Sequence, residues 1–366
     1  MSGRALVGSG ADGLIVREVT LRDFRSYAGL ELTLEPGIVL VAGANGAGKT
    51  NLLEALHLGT QGFSPRASSD AQMVRFGADT GRVRLRGARA ARPIQVDVVL
   101  AVNDARSARL NGSTLRSAEQ LRGELQTLVF TPDRLAVVKS GPATRRAYLD
   151  RTVGRLFPSR AQLPVDYAAA VGQRNAALRR VAIGASTLDA VSPWTERIVD
   201  LGTSLVAARQ EALALLSQPL ETCAGSLELE SLAAVYEGDP PTVENLNARL
   251  ERDLQHGVTG HGPHRHEIRI EASGRDLRTF GSQGEQRAAI LALVLAEAEV
   301  LAERNRVAPL VLLDDVLSEL DGTRRRSLAE LISGGGQTLV TTTAAAALPV
   351  EPAQSLLVEP GCVRAA

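Results

Sequence analysis

Between residues 14 and 35 apolar and polar side chains alternate. Leu30, Leu32 and Leu34 fall to one side and Glu31, Thr33 and Glu35 to the other, the two-residue period of a strand with one wet face. Ile38 to Ala42 is instead a short, wholly apolar run, as in a strand buried on both faces, and Asn51 to Leu58 carries Leu52, Leu53 and Leu56 at helical spacing. Alternation returns at 82–86 and 94–100. Asn111-Gly112, inside 110–114, is the dipeptide a tight hairpin favours, because both of its turn positions need φ > 0. Val129 to Asp133 reads as a strand end entering a turn, where a side chain can meet a ligand.

From about residue 143 to 254 the period becomes helical, in Ala- and Arg-rich segments such as 167–183 and 194–216. No heptad is sustained, so a compact bundle or short arm is expected rather than a long coiled coil. A helix apolar almost all round follows at 287–304. Then come a buried strand at Leu310–Leu313, a capping turn at Ser318-Glu319-Leu320-Asp321 before another helix, and a last strand, Thr338 to Val340, ending in Thr341, Thr342 and Thr343.

The chain has 366 residues, 44% of them hydrophobic, enough for two core-bearing units. Residues 1–13 are Gly-rich without an apolar stretch and read as a frayed leader rather than a signal peptide. The longest apolar run, Ala288 to Ala296, is too short to span a bilayer. Cys223 and Cys362 are too few for a disulfide framework and fit a reducing cytoplasm. The zero net charge hides an uneven distribution. Residues 81–160 hold sixteen Lys or Arg against six Asp or Glu, a local +10, and 196–255 hold four against eleven, a local −7. The first region suits a polyanion such as nucleic acid or is plain solvated surface, with arginines in 82–92 and 145–160 as the candidate contacts; the second suits a solvated face or a basic partner.

The clearest chemistry lies at Gly43-Ala44-Asn45-Gly46-Ala47-Gly48-Lys49-Thr50, which fits G-x-x-x-x-G-K-[ST] between a predicted strand and a predicted helix. Glycines allow a tight turn whose N–H groups face phosphates at a helix N-terminus. Lys49 is expected at the β- and γ-phosphates and Thr50 on Mg²⁺. Only Lys49 and Lys139 among 41 basic residues are lysine, so an arginine-using chain has put a compact charge here. Asp314-Asp315, at the end of a buried strand, stand where a metal-holding carboxylate belongs: Asp314 would hold Mg²⁺ through water, and Asp315 would orient or deprotonate the attacking water. Phe24-Arg25-Ser26-Tyr27 would either hold an adenine or ribose through Arg25 or form a hairpin turn with packed aromatics. His256, His261, His264 and His266 sit in a Gly- and Pro-broken segment that suits a loop contacting phosphate or a neighbouring chain, with zinc the less favoured reading. Ser282-Gln283-Gly284 offer a second anion site at a helix N-terminus, most useful to another molecule's nucleotide.

Taken in order, the P-loop, a long insertion, the segment SQGEQ, the strand end LVLLDD and the SELD turn resemble ABC-type ATPase heads. FRSY at 24–27, GANGAGKTNLLEAL at 43–56, VRFG at 74–77, FTPD at 130–133, SGPATRRAYLD at 140–150, GPHRHE at 262–267 and FGSQGEQR at 280–287 resemble the RecF family of bacterial recombinational-repair proteins. The resemblance implies an α/β fold, a mixed sheet around a P-loop helix. A head made of 1–137 and 258–366 would carry an inserted compact helical domain at 138–257. It further implies ATP and Mg²⁺ as cofactors and a homodimer that sandwiches each nucleotide between one chain's P-loop and the other's Ser282-Gln283-Gly284. Double-stranded or gapped DNA, RecO and RecR would be partners in loading RecA, in a cytoplasmic, nucleoid-associated setting without a membrane. Transporter-type heads carry a Gln loop and a switch histidine where this chain has Thr131-Pro132-Asp133 and Thr342-Thr343, and many carry Glu where Asp315 stands. Slow, DNA-stimulated hydrolysis is therefore expected. A GTPase lacks the lysine it would need for a guanine reader, a transporter subunit leaves the +10 region unexplained, and a coiled-coil clamp needs a longer insertion. A non-catalytic DNA-binding module is the remaining alternative.

Overall fold

The computed structural model describes residues 13–344 and 348–366, so the expected leader, apart from Gly13, lies outside the described residues. Packing divides the chain into two compact units. One comprises the N-terminal part up to Leu135, Thr222–Leu229 and Gln283–Ala366; the other comprises Ala136–Glu221 and Glu230–Ser282. Residues 258–282 thus pack with the second unit.

The first unit contains two six-stranded sheets. The antiparallel one runs β2-β1-β4-β5-β6-β7, built from β1 (Leu14–Phe24), β2 (Tyr27–Thr33), β4 (Thr80–Arg89), β5 (Arg92–Ala101), β6 (Ser107–Leu110) and β7 (Ser113–Thr114). Its period-two pattern is that of a half-wet sheet: Val19, Leu21, Val83, Leu85, Val96 and Val98 are buried, and the residues between them face outward. Leu30 and Leu34 are buried and Leu32 partly so. Asn111 and Gly112 turn the β6–β7 hairpin at φ 49° and 82°, as the dipeptide predicts.

The second sheet runs β15-β14-β3-β13-β12-β8, from β3 (Gly37–Ala42), β8 (Thr127–Phe130), β12 (Leu310–Leu313), β13 (Gln337–Thr342), β14 (Gln354–Glu359) and β15 (Cys362–Ala365). All are parallel except β15; β3, β8 and β12 are apolar runs, and nearly every residue of these and of the more polar β13 is buried. The P-loop helix Lys49–Gln61 buries Leu52, Leu53 and Leu56 in the core these sheets share, each contributing about 1.5–3 kcal/mol. β1 has a bulge between Val16 and Glu18. There the buried amide of Gln337 accepts from Val16 N–H at 2.8 Å and donates to the Val16 and Glu35 carbonyls at 2.9 Å each, joining β1 to β13.

The second unit holds the helices Pro142–Leu156 and Leu163–Ala182 and a three-stranded sheet, β11-β10-β9, of β9 (Leu232–Glu237), β10 (Glu267–Ala272) and β11 (Arg275–Asp276). Two expectations are corrected. β9 lies inside the stretch read as helical: Leu232-Ala233-Ala234-Val235 alternates too weakly to announce a strand, and pairing with β10 supplies what local pattern lacks. The strand at 338–340 is not the last, because β14 and β15 follow it.

Candidate nucleotide-binding site

The register of the parallel sheet brings the site together. Ala42 pairs with Thr342 across β3 and β13, and Leu313 pairs with Val340 across β12 and β13. Gly43, Thr341 and Asp314 therefore leave the carboxyl ends of three adjacent strands side by side, where open α/β sheets place their ligands. In the loop, Ala44, Asn45 and Gly46 are exposed, while Gly43 and Ala47 to Lys49 are buried. Gly48 has φ 118°, and a Cβ there would meet the Tyr27 hydroxyl at 3.0 Å; a Cβ on Gly43 would lie 2.5 Å from the Val358 carbonyl. Side chains larger than glycine would close this cradle.

The Lys49 ammonium is folded into the loop, donating to the Gly43 carbonyl at 2.7 Å and the Ala44 carbonyl at 2.9 Å. Burial lowers its pKa, and the carboxylates of Asp315 and Asp314 pull it back up. Thr50 Oγ1 donates to Asp314 Oδ1 at 3.1 Å, and Thr341 Oγ1 donates to the same oxygen at 2.7 Å. Asp314 is buried, which pushes its carboxyl above the ordinary range against the pull of these two hydroxyls. Asp315 N–H donates to Thr341 Oγ1 at 2.8 Å, so one threonine holds both aspartates. Asp315 sits in the left-handed region at φ 49°, and its Oδ1 is buried without a hydrogen-bond partner. A glycine cradle, a buried ammonium and an unsatisfied carboxylate oxygen fit a nucleoside triphosphate with a divalent cation. Gly43 to Lys49 would hold the phosphates, and Thr50 and Asp314 the metal.

Phe24 and Tyr27 are fully buried, and Arg25 occupies a tight turn at φ 52°, so the backbone is that of a hairpin with packed aromatics. The Arg25 guanidinium is engaged by protein groups: its Nε donates to Glu54 Oε2 at 2.8 Å, Nη2 to Glu54 Oε1 at 2.6 Å and Nη1 to the Gln72 carbonyl at 2.5 Å. Tyr27 Oη donates to the Gly48 carbonyl at 3.1 Å and Asn51 Nδ2 to Ser26 Oγ at 2.9 Å, so this turn buttresses the phosphate loop. Sequence reasoning missed Glu54, although a carboxylate among the leucines of an apolar helix face is itself a signal of a buried partner. A groove of about 630 Å³ opens beside the turn, lined by Arg25, Ser26, Asn51, Gln72 and a wholly exposed Phe76 among others.

The remaining candidates stand elsewhere. Ser282 and Gln283 are exposed and Gly284 half-buried, at the head of the helix Gln283–Asn305. In the second unit, His264 shares hydrogen bonds with Tyr167 Oη at 2.8 Å and the Thr259 carbonyl at 2.9 Å, His266 with Tyr236 Oη at 2.7 Å and His256 with the Arg252 carbonyl at 2.8 Å. Burial lowers the pKa of His264 and, with the nearby charge of Arg209, that of His266 to about 4. Among the described residues no three His, Cys, Asp or Glu form a metal-ligating group. Nor is any helix among them long and apolar enough to cross a membrane. Arg145, expected on a DNA-facing surface, is buried and forks Glu267 at 2.9 Å; Arg160 pairs with Glu211 at 2.6 Å.

Known proteins resemble this chain in sequence and in fold. The family described as the RecF/RecN/SMC N terminal domain matches residues 15–356. A DNA replication and repair protein RecF from Heliobacterium modesticaldum is 33% identical, covering 90% of this chain and 92% of its own length; its counterpart in Lachnoclostridium phytofermentans is 32% identical over 90% and 93%. The solved structure of a recombination mediator protein RecF with ATP, of the RecFOR pathway, superposes with a TM-score of 0.85 at 27% identity, covering 97% of this chain and 98% of that one. An Smc head bound to the C-winged helix domain of ScpA shares the fold at a TM-score of 0.60 and 16% identity, over 96% of both chains.

Proposed function

The chain belongs to the RecF family of DNA replication and repair proteins, and on that premise we propose that it is an ATP-driven DNA-binding switch of recombinational repair. The observation that carries this reading is the convergence of Lys49, Thr50, Asp314 and Asp315 on one strand-end row, with Asp315 Oδ1 buried and unsatisfied. ATP would bind at Gly43 to Thr50, where Thr50 and Asp314 would hold Mg²⁺, and the groove beside Arg25 would receive its adenosine. The bound cation supplies charge neutralisation at the β- and γ-phosphates. Lys49 exchanges its carbonyl partners for phosphate oxygens, and Asp315 orients the attacking water and accepts its proton. The shorter Asp side chain, and Thr342-Thr343 in place of a switch histidine, suit slow turnover.

Two copies close head to head, each nucleotide gripped by one chain's P-loop and the other's Ser282-Gln283-Gly284, whose exposure at a helix head supports such a contact. Duplex or gapped DNA stimulates hydrolysis, which separates the pair, and RecO and RecR are the partners in loading RecA. Light scattering with ATP, ADP and duplex DNA tests this. The wild type is expected to be dimeric only with ATP, Lys49→Ala and Ser282→Arg to stay monomeric, and Asp315→Asn to prolong the dimer. An ATP-bound monomer at every protein concentration would sink the switch.

A further inference from the structure

The outer face of the antiparallel sheet carries an arrangement that sheet stability does not explain. β4 points Arg82, Arg84 and Arg86 to the same side, and Arg22 of β1 lies directly across from Arg82 in the register. Like charges facing each other across antiparallel strands destabilise the pair. Asp97 of β5 does not cancel them, since one carboxylate serves both Arg82 and Arg84: Arg82 Nε donates to Oδ1 at 2.6 Å and Arg84 Nη2 to Oδ2 at 3.0 Å. On its other side Asp97 faces Arg109, which is exposed on β6. Among the described residues, Arg86 meets Glu18 at 3.4 Å and Gln95 at 3.0 Å. Five arginines therefore share three carboxylates, Glu18, Glu31 and Asp97, around a groove of about 250 Å³ lined by Arg22, Arg82, Arg84, Arg86, Glu18 and Glu31.

We propose that this face, with Arg82, Arg84 and Arg86 as its axis, is a track for the sugar-phosphate backbone of duplex DNA. The assignment rests on the DNA-binding reading above and says which of the two basic stretches performs it. Alternate residues on a strand are about 6.8 Å apart, a spacing that lets successive side chains meet successive phosphates of one nucleic-acid strand. From β2 to β6 the face is five strands across, about 20 Å, the breadth of a duplex. It carries no aromatic side chain, so it lacks the stacking platform that single strands require. Two guanidiniums on one carboxylate leave donors for an incoming phosphate, whereas the rival arginine Arg145 is buried against Glu267.

The test uses the full chain with ATP and a labelled duplex, reading anisotropy across a salt series. Arg22→Gln/Arg82→Gln/Arg86→Gln is expected to weaken binding at least tenfold and to flatten the salt slope by roughly 2 to 3, about 0.9 for each phosphate no longer neutralised. Glu18→Gln/Glu31→Gln, on the same face, is expected to tighten it severalfold, an inversion that loss of folding would not produce. ATP affinity is measured alongside; if the triple variant no longer binds ATP, the Glu pair decides alone, and no tightening overturns the track. Unchanged duplex affinity and slope in the triple variant overturn it too, as does loss of a polyglutamate probe with duplex binding intact, which would make the face a protein contact. Failure of the wild type to bind duplex while it binds ATP would instead strike the DNA reading itself.

Discussion

Two Gly-rich segments look alike in composition and do opposite things with their polar atoms. Residues 43–50 leave groups incompletely answered: a buried ammonium held only by carbonyls, and an Asp315 oxygen nearby with no partner. The histidine-rich segment, residues 256–266, mostly spends its groups internally, on Tyr167, Tyr236 and the Thr259 carbonyl, with the Nε2 of His261 the buried exception. Nearby, Arg174 and Asp253 pair at 2.8 Å in full burial, with Thr195 and Thr259 on the same guanidinium and its Nη2 alone left without a partner, away from any row of strand ends. Unspent polar atoms at converging strand ends mark a place for a ligand, and spent ones mark architecture.

The contrast can be broken most directly at Asp315. Asp315→Asn is expected to slow phosphate release by about 10²–10⁴-fold in single-turnover assays while leaving ATP affinity intact. Its denaturation midpoint is expected to hold or rise, because an unpaired buried carboxylate oxygen costs stability. Asp253→Asn is the mirror case. Leaving Arg174 buried without its counter-charge should cost about 3–5 kcal/mol in urea unfolding and leave ATP affinity alone; a nucleotide effect there would erase the distinction between the segments. Lys49→Ala comes next, with ATP binding about a hundredfold weaker by calorimetry, equivalent to about 2.7 kcal/mol.

Acid should affect the second unit through its histidines. His266 titrates near 4 when folded against an ordinary value of 6.5, so the unfolded chain takes up the proton first. Stability is fully present above about 6.5 and falls as pH drops towards about 4, and His264 acts in the same direction. A melting temperature flat across that window would show the rings to be less confined than they look. The smallest effect belongs to Glu211→Gln, which breaks the exposed pair with Arg160 and should cost under about 1 kcal/mol.

What the sequence made legible is what local pattern controls. Glycine spacing, the apolar run before it and the leucines after it identify the phosphate loop, and an acidic pair ending a buried strand identifies Asp314 and Asp315. Thr341 was visible only as the end of a strand. Its place between the two aspartates exists because β13 lies between β3 and β12 in this register, which neighbouring residues do not encode. Gln337 and Glu54 were silent for the same reason, since each answers groups far away in the chain. Arg145 misled because composition cannot tell a buried guanidinium from a solvated one.

β13 has a mechanical consequence. Its amide at Gln337 grips the bulge of β1, the strand that bears Glu18 and Arg22, and its hydroxyl at Thr341 sets both aspartates. These grips are four residues apart on an extended strand, about 13 Å. A load placed on the outer sheet therefore has a stiff rod, one strand long, leading to the carboxylate that would time hydrolysis.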